Sequence, residues 1–211
     1  MAVVRTQRGF DRLVNFSDAV VAIAITLLIL PLVDAGPEVA KEGIGPYFDH
    51  NFWQFLAFAI SFVVIARLWM VHHQVFGWID SYTPGLLWLN MLWLACIVFM
   101  PFTANVLSDS PNEKPDVYAL YIGNLLLTTL AMQFMELLIL RTPGMLSEEG
   151  AAQADPLRGW TFIVLLVIAG VLAVLFPNIG MLWLFLLFLS RPLHLVLGRM
   201  TRSRDHAGAR P

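Results

Sequence analysis

The chain alternates six long apolar runs with short polar intervals: Asn15–Val33, Phe52–His73, Pro84–Leu107, Tyr118–Leu140, Trp160–Phe176 and Ile179–Leu197. A bilayer core about 30 Å thick is crossed by roughly 20 apolar residues in a helix, and these runs are of that length. They are continuously apolar and show none of the two-residue alternation of barrel strands. A helix also satisfies its own backbone hydrogen bonds in lipid. The pattern therefore predicts an all-α integral membrane protein with six transmembrane helices, residues 1–211 forming one domain.

The intervals carry their own signals. "DAGPEVAKEGIGPYFDHN", Asp34–Asn51, is rich in Gly, Pro and charge and predicts a loop or short surface helix. "QVFGWIDSYTPG" is brief and places Trp78 and Tyr82 where an interfacial aromatic belt would want them. Arg141–Gly159 is the one sizeable loop on its side, and Pro177–Gly180 is a tight turn that makes the last two runs an antiparallel hairpin. The segment "NFSDA" has no second copy after Leu107, which counts modestly against a transporter built from inverted repeats.

Composition agrees with the pattern, with 58% hydrophobic and 13% charged residues. The net charge of −2 adds nothing, whereas its distribution does. With the N-terminus inside, Arg5, Arg8, Arg12, Arg67, Arg141, Arg158, Arg191, Arg199, Arg202, Arg204 and Arg210 fall on one side, and only Lys41 and Lys114 on the other. Basic residues gather on cytoplasmic loops, so both termini are expected in the cytoplasm of a multi-pass protein of the cell membrane. Acidic residues such as Asp34, Glu38, Glu42, Asp49 and Asp116 lie in outer loops, where they either attract cations mildly or are simply solvated. The basic tail "RMTRSRDHAGARP" reads as a lipid-facing segment and not as a nucleic-acid module. Arg5, Arg8 and Arg12 before an apolar run could head a signal peptide, but Asp18, Pro31 and five further runs favour a retained helix.

Ionisable groups at membrane depth are costly and mark function or a clamp. They are Arg12, Asp18, Arg67, His72, His73 and Glu136. Arg12 and Asp18, six residues apart, do not share a helix face. His72 and His73 close the second run at the level of Asp18, and Asn90 lies about two turns into the third. Arg12, Ser17, Asp18, one of the histidines and Asn90 could thus tie three helices together, either as a working site or as a plain clamp. A metal site at His72 and His73 is disfavoured, because neighbours on a helix diverge by about 100° and no His-x-x-x-His spacing supports them. The lone Cys96 allows no intrachain disulfide and no metal cluster. Ser17 and Asp18 are adjacent, without a nucleophile elbow, so no hydrolase triad and no enzyme is expected. Ile23, Leu27 and Leu30 form one stripe with Thr26 beside it, a pattern that on residues alone means lipid-facing or core.

The segment Arg12, Phe16, Ser17, Asp18, followed by "AVVAIAITLLILP", resembles the signature first helix of the transmembrane protein 175 family, the endolysosomal potassium channels and their prokaryotic homologues. "LWMVHHQVF" (Leu68–Phe76) is similar to the Trp-x-x-His stretch ending that family's second helix, and "LNMLWLACIVFMPFTANVL" (Leu89–Leu107) to its third. About half of the chain carries the resemblance. It implies a six-helix unit, once per chain, with four identical chains around a pore lined by the first helix. It further implies a narrowest ring at Ile23, rings at Leu27 and Leu30, and a hydroxyl layer at Thr26. Arg12, Ser17, Asp18 and a histidine, His73 foremost, would inherit an interhelical hydrogen-bond network, to which Asn90 is added from its level in the membrane.

Potassium is then the permeant ion and no cofactor is expected. Lipid and further copies of the same chain are the partners. Ile23 would gate by dewetting. The rival reading is a proton-coupled secondary transporter using Asp18, His72 or His73, and Glu136, although Glu136 reads more simply as a snorkelling carboxylate.

Overall fold

The computed structural model describes residues 7–108, 114–147, 150, 154–176, 182–183 and 186–187. Its elements are all helical: α1 (Gln7–Leu27), α2 (Leu30–Asp34), α3 (Gly36–Glu42), α4 (Ile44–His50), α5 (Phe52–Phe76), α6 (Pro84–Ser108), α7 (Pro115–Arg141) and α8 (Pro156–Leu175). Five helical stretches are long and apolar enough to cross a membrane. Apart from a few residues, the predicted sixth run, Ile179–Leu197, lies outside the described residues, as do Arg5 and the C-terminal tail.

The first run is not one straight helix as expected. It breaks after Leu27, where Ile29 N–H turns back to the Thr26 carbonyl at 3.3 Å and α2 starts with Pro31 in its first turn. Proline has no N–H to give the carbonyl four residues earlier, and its ring crowds that carbonyl, so the helix restarts there. Asp34–Asn51 forms two short helices, α3 and α4, joined at Gly43, whose φ of 87° suits glycine alone.

The later helices begin where their sequences allow. Thr83 caps α6, its Oγ1 accepting from Leu86 N–H at 3.2 Å, with Pro84 in the first turn. α7 starts at Pro115 with Asp116 in its first turn and ends with Arg141 in its last, complementing the helix dipole at both ends.

α6 is central, packing on α1, α5 and α7, while α8 lies against α7. Trp93, Ile97, Met100, Leu125 and Met135 fill the seam with no exposure. Polar groups register the helices. Asn124 Nδ2 donates to the Cys96 carbonyl at 3.0 Å across α6 and α7, and the hydroxyls of Ser61 and Tyr121 meet at 3.2 Å across α5 and α7. At the end of the bundle where α1 begins, Ser147 N–H donates to the Trp78 carbonyl at 2.9 Å. This stitches the α5–α6 and α7–α8 connections together. At the opposite end a shallow crevice opens behind the α1–α2 joint, lined by Leu28, Pro31, Ala57, Pro101 and Ala104 among others.

Candidate functional site

α1 has two contrasting faces. Phe10, Leu13, Ser17, Val21, Ala24 and Leu28, spaced three or four apart, are buried against the chain's own helices. The opposite face carries Arg12, Asn15, Phe16, Ala19, Ala22, Ile23, Thr26 and Leu27, all exposed. Ile23 is 61% exposed and Phe16 52%, although both sit at the middle levels of an apolar helix. Leu30 on α2 continues the exposure.

The buried face is held by a directed hydrogen-bond chain. Ser17 Oγ spends its proton on the Leu13 carbonyl at 2.9 Å and accepts from Asn90 Nδ2 at 2.8 Å. Asn90 Oδ1 lies 2.9 Å from His72 Nε2. The amide oxygen needs a donor there, so a proton on His72 Nε2 completes the chain. All three side chains are sealed from solvent. The His72 ring is stacked between Phe76 (centroids 4.1 Å apart) and Trp93 (4.3 Å), and Phe76 in turn stacks on Phe10 of α1 at 6.1 Å. The clamp thus binds α1 to α5 and α6 by hydrogen bonds and by ring contact.

Asp18, one residue on, turns toward α5, where the Trp69 indole N–H donates to its Oδ1 at 2.8 Å. Two expected members stand outside the hydrogen-bond chain. His73 is exposed and meets the motif only through its ring, tilted 32° against Trp69 at 5.4 Å. Arg12 is exposed on the face of Ile23 and makes no ion pair among the described residues. At about 100° per residue it points well away from both Ser17 and Asp18. Phe16 likewise stays on the open face.

Trp69 and Trp93 are the members that sequence reasoning missed. Trp69 lies one turn before the histidines and Trp93 one turn after Asn90, so helical spacing from the polar residues marks both.

Thr26 Oγ1 donates to the Ile23 carbonyl at 2.8 Å, so only its lone pairs face outward. Glu136 is buried on α7 beside Gln133, with Asp155 and Arg158 in electrostatic range. Among the described residues it shares no hydrogen bond with Asp18, His72 or His73. No trio of His, Cys, Asp or Glu suited to a metal ion occurs among the described residues.

The helices that build this clamp carry a family signature. Residues 12–101 match the family model "Endosomal/lysosomal potassium channel TMEM175". Over these residues the chain is similar to TMEM175. The TMEM175 match begins at Arg12 and takes in every residue of the clamp except Phe10.

Among relatives, "Potassium channel B446_29190" of Streptomyces collinus is 33% identical over 60% of this chain and 61% of its own length. "Potassium channel HX13_20290" of a Chryseobacterium species is 28% identical over 80% of this chain and 85% of its own. "Endosomal/lysosomal proton channel TMEM175" of Gallus gallus is 34% identical over 49% of this chain but 22% of its own length. The chain thus spans about three fifths of the first of these relatives and about a fifth of the last. The fold is that of the crystal structure of a TMEM175 homologue from Chamaesiphon minutus, described as a lysosomal potassium-selective channel. The TM-score is 0.66 at 23% identity, covering 93% of this chain and 98% of that one. TMEM175 is a family of channels and not of enzymes.

Proposed function

We propose that the chain is a potassium-permeable cation channel of the cell membrane in which four copies place α1 around one axis. Ile23 forms the narrowest ring, Leu27 and Leu30 form further rings, and Thr26 supplies a layer of hydroxyl oxygens. The carrying observation is the exposure of Ile23, at 61%, on a helix whose opposite face is sealed and hydrogen-bonded. The face is turned outward by its own clamp, and a stripe that the chain leaves uncovered invites copies of itself.

Four branched side chains at one level exclude a water column when close together, and a cation cannot shed its shell there without replacement ligands. Widening by about an ångström or two admits a partly hydrated ion, and the lower dehydration cost of potassium gives a modest preference over sodium. The outward lone pairs of Thr26, three residues beyond Ile23, supply the first oxygen ligands past the ring. Ser17, Asn90 and His72 act by holding the helix, not by touching ions. The clustering of basic residues supports a cytoplasmic position for the start of α1.

The test is potassium flux into liposomes containing the purified chain. The wild type conducts and Ile23→Asn raises the flux. No flux from either overturns the channel, and saturable uptake that requires a pH gradient favours the proton-coupled carrier.

A further inference from the structure

We propose that Asn15 is a specificity-determining residue of the conduction route: its carboxamide anchors the hydration shell of cations collecting on the N-terminal side of the Ile23 ring. The inference rests on the channel reading above. Asn15 is exposed on the unburied face of α1 and makes no hydrogen bond among the described residues. Eleven residues separate it from Thr26, which at about 100° per residue leaves the two within about 20° of one line. Ala19 and Ala22 fill that line between them with methyl groups, and Phe16 and Ile23 flank it. Asn15 and Thr26 are therefore the polar side chains on the exposed face of α1 between the charged Arg12 and the end of the helix.

Their chemistry differs. Thr26 presents lone pairs only, since its proton is spent on the Ile23 carbonyl. Asn15 has both its oxygen and its two N–H donors free. Arg12 sits one turn earlier on the same face and raises the potential along the axis. A cation that has passed Arg12 meets methyl and phenyl walls and, about 12 Å further on at 1.5 Å per residue from Asn15, the Ile23 ring. The Asn15 amide oxygen is the acceptor placed between the repelling and the oily levels. The small Ala19 and Ala22 side chains leave room there for an ion to keep its water. A carboxamide at this position holds that water by hydrogen bonds and turns its dipole to the ion.

Single-channel recording in planar bilayers with symmetric potassium chloride tests this on the full chain. Asn15→Leu is expected to lower conductance about threefold for ions moving from the N-terminal side and to leave the opposite direction closer to wild type. Asn15→Asp is expected to raise it about twofold, with the gain shrinking as salt rises. Chemical crosslinking of the same preparations reports the oligomer. Unchanged conductance in both variants overturns the assignment while leaving the channel intact. So does a fall in activity that tracks loss of oligomer at unaltered single-channel conductance, which would make Asn15 a contact between copies. A wild type without current overturns the channel reading and this assignment together.

Discussion

Trp69 donates its indole N–H to Asp18 Oδ1 at 2.8 Å, joining the acidic residue of the first-helix motif to the second long helix. The contact gives a half-buried carboxylate a charge-assisted hydrogen-bond donor. Trp69→Phe keeps the ring packing and orphans the oxygen, so it should destabilise the fold by about 1–3 kcal/mol. Asp18→Asn keeps an acceptor and should cost less. Thermal unfolding in detergent, followed by tryptophan fluorescence or scattering, checks the order. Equal melting of Trp69→Phe and the wild type would remove the contact from the clamp.

Asn90 is the hinge of the buried chain, giving to Ser17 and receiving from His72. Replacing it by Leu strands two partners at once, each at about 1–3 kcal/mol. Ser17→Ala strands fewer groups and should be milder. A double-mutant cycle of Ser17→Ala with Asn90→Leu should return a coupling energy of about 0.5–3 kcal/mol, whereas additive losses would mean that the two residues act apart. Loss of this clamp should reduce assembly of the oligomer more than it alters ion selectivity, since no member faces the open stripe.

The joint between α1 and α2 follows from Pro31. Pro31→Ala restores an N–H to bond the Leu27 carbonyl, and α1 should run on continuously through Leu30. Spin labels at Leu32 and Asn105, both lining the crevice behind the joint, report the change as an altered and narrower distance distribution. An unchanged distribution would mean that tertiary packing and not the proline sets the break.

Tyr47 lies buried in α4, and burial, followed by the nearby Glu38 and Glu42 carboxylates, pushes its phenol above the ordinary value of 10.0. A raised value favours the protonated form in the fold. Its stabilisation is therefore complete below about pH 10, the unfolded value, and is lost as pH rises through the higher folded value. The α3–α4 segment should loosen in strong alkali, and Tyr47→Phe should remove that part of the pH dependence. Ultraviolet phenolate titration alongside limited proteolysis of this segment measures both.

The long helices were legible because hydropathy alone sets their length and place. α5, α6, α7 and α8 begin and end within about a turn of the apolar runs that announce them. The broken first helix was legible in principle, since Pro31 stands inside the run. The clamp was only half legible. Ser17, Asp18 and Asn90 stand out as polar groups in apolar surroundings, but which histidine joins them depends on helical phase. His72 continues the buried series Ser61, Ile65 and Leu68, whereas His73 falls outside it, and that phase could have decided between them. Trp69 and Trp93 stand one turn from polar residues of their own helices, a spacing that could have marked them, whereas Asn124 and Tyr121 act through partners on other helices, and no spacing within one helix reveals a partner. Arg12 shows the converse: its motif position suggested the clamp, while its phase puts it on the open face.

Whether the exposed stripe of α1 meets its own copies on an axis is tested most directly by cysteine crosslinking in native membranes. In a Cys96→Ala background, the proposed ring should bring Ile23→Cys positions of neighbouring copies within reach of a disulfide, which spans about 4.4–6.8 Å between Cα atoms, or of a cysteine-bridging metal such as cadmium. Oxidation or cadmium should link Ile23→Cys chains and arrest potassium flux, while Val21→Cys on the buried face should do neither. Equal behaviour of the two variants, or no linkage at Ile23, would mean that the stripe faces lipid and that the conduction route lies elsewhere.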